Sequence, residues 1–339
     1  MAFWERKELP HLRLQHPFGL EPTADCHITT RFTQEYLITE IKDTKFYTFY
    51  YSTKQPIYAP SSPPISVNGM KKYALKVAYL GENYHGFQRQ PNLKTVEGEI
   101  LDALRKSGLI EDLTSSKYSY SGRTDRGVSA VGQTISFLTK KDLKIGYVNS
   151  LLPDDIFFWA YAEVNLDFDP RRDALCRTYL YFHPYSDEDV DLMKMAARDL
   201  EGLHDFRYLS KSYKKEVSTV REVKEVSVNV EDDIISFIFK AKSFLWQQVR
   251  RMVSLILMVG RGELSLEEVS EVLNGRVRKN IAPAPAYGLI LLDVSYPVSF
   301  KKDEKAAAKG IKMVEGLLKK VTVSRFIYKS ILKKVFNNL

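Results

Sequence analysis

Residues 71–80 read KKYALKVAYL. Tyr73, Leu75, Val77 and Tyr79 recur at a period of two, which predicts a strand. The segment 95–108, TVEGEILDALRKSG, follows. Thr95 is placed to cap a helix with Val96, Ile100, Leu101 and Leu104 on one face, and Gly108 closes it. YSYSG (118–122) and GQTISFLT (132–139) read as strands on either side of the turn RTDRGVSA (123–130). DLKIGYVNSLL (142–152) reads as a helix stopped at Pro153, and IFFWAYAEV (156–164) as a strand.

A second set comes after it. CRTYLYFH (176–183) is a strand, and residues 186–202 form a helix with Ser186 as the cap and Asp189 three residues on. REVKEVSVNV and DIISFIFKA make a hairpin around Glu231-Asp232. SFLWQQVRRMVSLILMVGRG (243–262) is a long helix, and SLEEVSEVLNG (265–275) a helix opened by a Ser265/Glu268 capping box. GLILLDVSY (288–296) is the last strand. Each set runs roughly β-α-β-(β)-α-β, the split ferredoxin-like pattern. The expected class is therefore α+β, two ferredoxin-like-related halves with antiparallel sheet and helices packed on one face. The halves share a pattern and no sequence repeat.

The 339 residues suit two domains, or one large domain with extensions, and a 44% hydrophobic content is enough to bury a core. No run of 18 apolar residues exists, so no transmembrane helix is expected. The first residues, MAFWERKELPHLRLQH, lack the apolar stretch of a secretory signal. Two cysteines, Cys26 and Cys176, exclude a disulfide scaffold and a CxxC metal site and fit a reducing, cytoplasmic setting. Residues 1–69 form an N-terminal extension rich in proline, ending in APSSPPISVNG; Met70 is an alternative translation start, and TKFYTFYYS an alternative strand of a small extra module. The halves are expected over 71–170 and 171–299, with a basic helical tail over 300–339. Residues 301–339 hold eleven Lys/Arg against three Asp/Glu, which equals the whole chain's net charge of +8. A polyanion site in the body must therefore be a local cluster. In the tail, Ile311, Val314, Leu318 and Val321 keep a helical spacing.

The densest polar stretch is SGRTDRGVSA (121–130). Asp125 stands between Arg123 and Arg126 in a glycine-bounded turn, and the flanking cations favour an ionised carboxylate suited to a nucleophile or general base. Taken alone, such an Asp is a turn residue with a surface ion pair. Tyr179 alone is one strand tyrosine among 20, and Arg250 alone a solvated helix residue.

Taken together with four other blocks, the stretch resembles the active-site motif of the TruA-type tRNA pseudouridine synthases. YLGENYHGFQRQ (79–90), FDPRRDALCRTYLY (168–181), EGLHDFRYLS (201–210), and FLWQQVRRMVSLILMVGRGE (244–263) with APAPAYGLILLDVSY (282–296) resemble the family's further blocks in order, over about residues 71–297. The resemblance implies the pseudouridine synthase fold and conversion of uridine to pseudouridine in the tRNA anticodon stem-loop, about positions 38 to 40. It implies Asp125 as the catalytic residue and Tyr179 as the active-site tyrosine. Arg250 matches the arginine paired with the carboxylate, Arg123 the arginine that enters the stem-loop, and Leu289 a residue lining the uracil pocket. It also implies a homodimer. The chain departs from the family pattern at Ser129, Leu180, Trp246 and Gln247, which touches substrate contacts more than chemistry.

Arg89, Arg126, Arg171, Arg172 and Arg251 are expected, with Arg250, to line an RNA groove. No cofactor or metal is expected, since GxGxxG after a strand, a P-loop and HExxH are all missing. A non-catalytic RNA-binding relative would have lost part of the Asp–Tyr–Arg set. The same chemistry on another RNA would leave the motifs unchanged. A glycosidase would need a second motif-backed carboxylate.

Overall fold

The computed structural model describes residues 39–41, 44–46, 68–211 and 218–336. Residues 1–54 form one unit, in which β1 (Thr39–Ile41) and β2 (Thr44–Phe46) pair antiparallel. β2 opens the stretch TKFYTFYYS; the rest of that stretch and the Pro-rich run to residue 67 lie outside the described residues.

The second unit, residues 55–339, holds the remaining elements. They are β3 (Lys71–Tyr79), α1 (Val96–Lys106), β4 (Ser119–Tyr120), β5 (Ser129–Thr139), α2 (Ile145–Ser150), β6 (Ile156–Val164) and β7 (Cys176–Pro184). Then come α3 (Val190–Asp199), β8 (Gly202–Asp205), β9 (Val220–Glu231), β10 (Ile234–Ala241), α4 (Gln248–Gly260), α5 (Leu266–Leu273), β11 (Leu289–Ser295), β12 (Lys301–Lys302) and α6 (Glu304–Phe336). Ten strands make one sheet in the order β12-β6-β3-β5-β11-β7-β10-β9-β8, with β4 beside β5. The fold is α+β and its sheet is mostly antiparallel. The one parallel pairing, β5 with β11, joins the two halves through Ser129 opposite Ile290 and Ala130 opposite Leu291. Among the described residues no helix is long and apolar enough to cross a membrane.

Local chemistry explains the element ends. Thr95 Oγ1 accepts from Gly98 N at 3.3 Å to open α1, and Gly108, at φ +69°, ends that segment. Ser265 and Glu268 form the capping box of α5. Two boundaries differ from the sequence reading. Asp189, rather than Ser186, caps α3: its Oδ1 accepts from Asp191 N and Leu192 N, while Glu188 takes the Ser186 N–H. The long helix starts at Gln248 rather than 243, because Gln247 is left-handed at φ 62° and breaks the run.

Each half has its own apolar core. Ile100, Leu104, Phe137 and Phe158 lie in the first, and Phe237, Phe239, Met252 and Ile256 in the second. Tyr179 packs against both. One cation is fully buried in the first half. Lys76 Nζ meets Asp293 Oδ1 at 2.7 Å and the Val294 carbonyl, 5.4 Å from the Tyr296 ring centre and 5.0 Å from that of Phe300. It thus links β3 to β11, on the two sides of β5. Burial lowers its ammonium pKa, and the Asp293 charge opposes that shift.

Candidate active site

The turn 121–128 is held on three sides. Gln133, on β5, takes a hydrogen bond from Ser121 Oγ and donates to Gly122 O at 2.8 Å. The Tyr79 and Thr124 hydroxyls meet at 2.8 Å, and Phe87 N donates to Thr124 O at 3.1 Å. Gly86, at φ +95°, allows this approach, since a Cβ there would fall 3.0 Å from Thr124 O. From the second half, buried Arg177 donates to the carbonyls of Ser121 (2.6 Å), Arg171 (3.2 Å) and Lys242. Val128 N closes the turn on Asp125 O at 3.2 Å. The position of Asp125 is therefore fixed by groups from both halves.

The carboxylate has two donors, both from the segment that opens α4. Arg250 Nη1 lies 2.9 Å from Asp125 Oδ2. Arg250 is itself anchored: its Nε donates to Ala284 O at 2.6 Å, and Ala284 N returns a bond to Arg250 O at 3.0 Å. Trp246 Nε1 donates to Asp125 Oδ1 at 2.9 Å. The left-handed backbone at Gln247 separates these two donors. Lys211 braces the indole from outside, with Nζ 4.1 Å from the ring centre and its backbone N–H on Trp246 O at 2.9 Å.

Tyr179 sits on β7 with its ring edge-on to Phe244 at 5.4 Å. Burial pushes its phenol up to about 12; the Asp125 charge adds to the rise and Arg177 opposes it. The hydroxyl is therefore neutral across the physiological range. Leu289 is buried at the start of β11, opposite Tyr181.

Asp125, Tyr179, Arg250, Leu289, Arg123, Arg126 and Arg171 line one cleft of about 750 Å³. Among its described lining residues are six arginines and one lysine against a single carboxylate, Asp125. A cleft of this charge suits a polyanion. Arg123, Arg126 and Arg171 are exposed there, with Arg123 Nε 3.4 Å from the Tyr120 hydroxyl. Arg89, Arg172 and Arg251 are not brought to this cleft. Arg172 is held by Asp173 and the Asp167 carbonyl. Arg251 turns to Ile281 O and Gln247, where burial lowers its pKa. The sequence reading missed the placement of Trp246 and Arg177, although both stand inside the stretches it quoted. It also missed Arg221 and Lys242, which line the far wall.

The sequence profile of the tRNA pseudouridine synthase family matches residues 196–297. That stretch includes Arg250 and Leu289 and ends well after Asp125. Longer matches come from archaeal proteins named tRNA pseudouridine synthase A. That of Methanosphaera stadtmanae is 40% identical over 255 residues, 73% of this chain and 92% of the relative. That of Archaeoglobus fulgidus is 41% identical over 239 residues, 70% of this chain and 88% of the relative. That of Methanothermobacter thermautotrophicus is 41% identical over 249 residues, 73% of this chain and 90% of the relative. With the cation-lined cleft and the clamped aspartate, likeness of this extent places the chain in the tRNA pseudouridine synthase family.

Proposed function

We propose that this protein isomerises uridine to pseudouridine in the anticodon stem-loop of tRNA, at about positions 38 to 40, with Asp125 as the catalytic group. The reading rests on one observation above others: the only carboxylate among the described cleft residues is fixed by two donors in a wall of cations. The reaction breaks N1–C1′, turns the uracil and joins C5 to C1′. The C5 proton leaves and N1 gains one, so the change is redox-neutral and calls for no cofactor.

The uridine has to leave its stack to reach Asp125. Arg123, exposed at the mouth, fills the vacated space and grips phosphate. Tyr179 offers its ring to the extruded base, a contact worth about 1–3 kcal/mol in stacking sites. Leu289 closes the apolar side of the pocket. Three first steps are open to a carboxylate here: attack at C1′, attack at C6, or removal of the C2′ proton. Arg250 and Trp246 hold the plane of the carboxylate for any of them. The family resemblance and the tRNA substrate support a cytoplasmic homodimer.

The test is pseudouridine mapping in RNA from cells lacking the protein. The signal at tRNA positions 38 to 40 should vanish, return with the wild-type chain, and stay absent with Asp125→Asn. An amide is neither nucleophile nor base, so return of the signal with Asp125→Asn overturns the role of Asp125. Loss confined to another RNA overturns the substrate.

A further inference from the structure

Helix α6 begins packed and ends bare. Ala306 and Ala307 are buried, and Gly310 lies so close to Phe157 that a Cβ would fall 2.2 Å from the ring. Beyond Gly310 the apolar side chains turn to solvent. Ile311, Val314, Leu318, Val321, Tyr328 and Leu332 are 44% to 64% exposed. These positions advance by three and four residues in turn, with Arg325 at the one place between Val321 and Tyr328. This is a heptad seam sustained over three repeats. A seam of period 3.5 suits a second helix better than a sheet or a flat surface.

The charges indicate which helix. Lys312, Lys319, Lys320 and Lys334 stand off the seam, so pairing of two copies does not bring them together. RNA phosphates would engage those lysines and leave the apolar seam in water. Direction follows from the polar positions. A parallel, in-register pair would set Arg325 against Arg325 and Lys329 beside Ser324. An antiparallel pair sets Val314 against the partner's Leu332, Leu318 against the partner's Tyr328, and the stem of Arg325 over the partner's Val321. It also sets Glu315 against the partner's Lys329, twice by two-fold symmetry. The guanidinium of Arg325 already points off the seam, to Asp233 Oδ2 at 3.0 Å.

We propose that α6 is a homodimerisation helix that pairs antiparallel with α6 of a second copy of this chain. The pairing is independent of the chemistry assigned to Asp125. Light scattering and sedimentation on the full chain test it against the double variant Leu318→Lys/Val321→Lys. Both side chains are exposed, so helicity and melting temperature serve as folding controls. The particle mass should halve in the variant; an unchanged mass overturns the proposal by placing any interface elsewhere. Val314→Cys and Leu332→Cys variants, mixed and oxidised, should cross-link to each other above the background of the unsubstituted chain, whereas Val314→Cys alone should not. Cross-linking of Val314→Cys to itself would overturn the antiparallel direction.

Discussion

The indole N–H of Trp246 lies 2.9 Å from Oδ1 of Asp125, the oxygen that Arg250 leaves free. A carboxylate on one donor is free to turn about its last torsion, which is broad. A second donor from the same chain segment fixes the plane. Trp246→Phe keeps the ring and removes the donor. With Asp125 as the catalytic group, kcat should fall roughly tenfold with KM little changed, as for a small misplacement of a reacting group. A raised KM at full kcat would instead make the indole an RNA contact. Single-turnover kinetics and a binding titration separate the two.

Arg250 uses Nε on Ala284 and Nη1 on Asp125 at the same time. A lysine has one nitrogen and cannot reproduce that fork. Arg250→Lys should keep the charge and still lose about 100-fold in kcat. The melting temperature, measured alongside, should drop by only a few degrees.

Tyr179→Phe keeps the ring against Phe244 and removes the hydroxyl. If that hydroxyl handles the C5 proton, turnover should stall after the glycosidic bond breaks, and free or misjoined uracil should be detectable in quenched reactions. Burial raises the phenol to about 12. The protonated form is therefore retained above the ordinary tyrosine value, and its contribution to stability falls only as pH rises from about 10 towards about 12. Wild type should show no loss of kcat from this group below pH 10.

Gln247 holds a left-handed backbone at φ 62° between the two donors to Asp125. Glycine accepts that conformation, so Gln247→Gly should stay within about 1 kcal/mol of wild type. Valine is β-branched and resists it. Gln247→Val should lose about 1–3 kcal/mol and lower kcat by shifting Trp246. Denaturant melts with parallel rate measurements read both effects.

Lys76 and Asp293 form the ion pair that ties β3 to β11. Lys76→Met removes one charge and leaves the other facing an apolar core, and should cost about 3–5 kcal/mol. Lys76→Met/Asp293→Leu should recover much of that loss, because neither charge is left behind. Equilibrium unfolding of the single and double variants gives the coupling.

The sequence carried much of this arrangement because period-two alternation marks strands and helical spacing marks helices regardless of how they assemble. β3, α1 and α5 with its capping box are examples. Alternation is silent about strand order, so the parallel contact of β5 with β11 had no local signal. The placement of Trp246 depends on one backbone torsion at Gln247, which no periodicity reports. Arg250 and Arg251 looked equivalent as neighbours, yet consecutive helical residues point about 100° apart. One reaches Asp125 and the other Ile281. Arg177 read as one more residue of a strand, because its partners are carbonyls from three distant segments.

The two halves meet where Ser129 and Ala130 align with Ile290 and Leu291, some 161 positions further along the chain. Contacts of such separation are slow to form, because the intervening loop entropy is lost before the pairing repays it. The turn that carries Asp125 leads directly into this seam, and Leu289 opens the strand on its other side. A chain still emerging from the ribosome thus has its aspartate long before the partners that orient it. Competence arrives with the β11 strand, late in synthesis, so turnover reports on completed folding more sharply than helix content does.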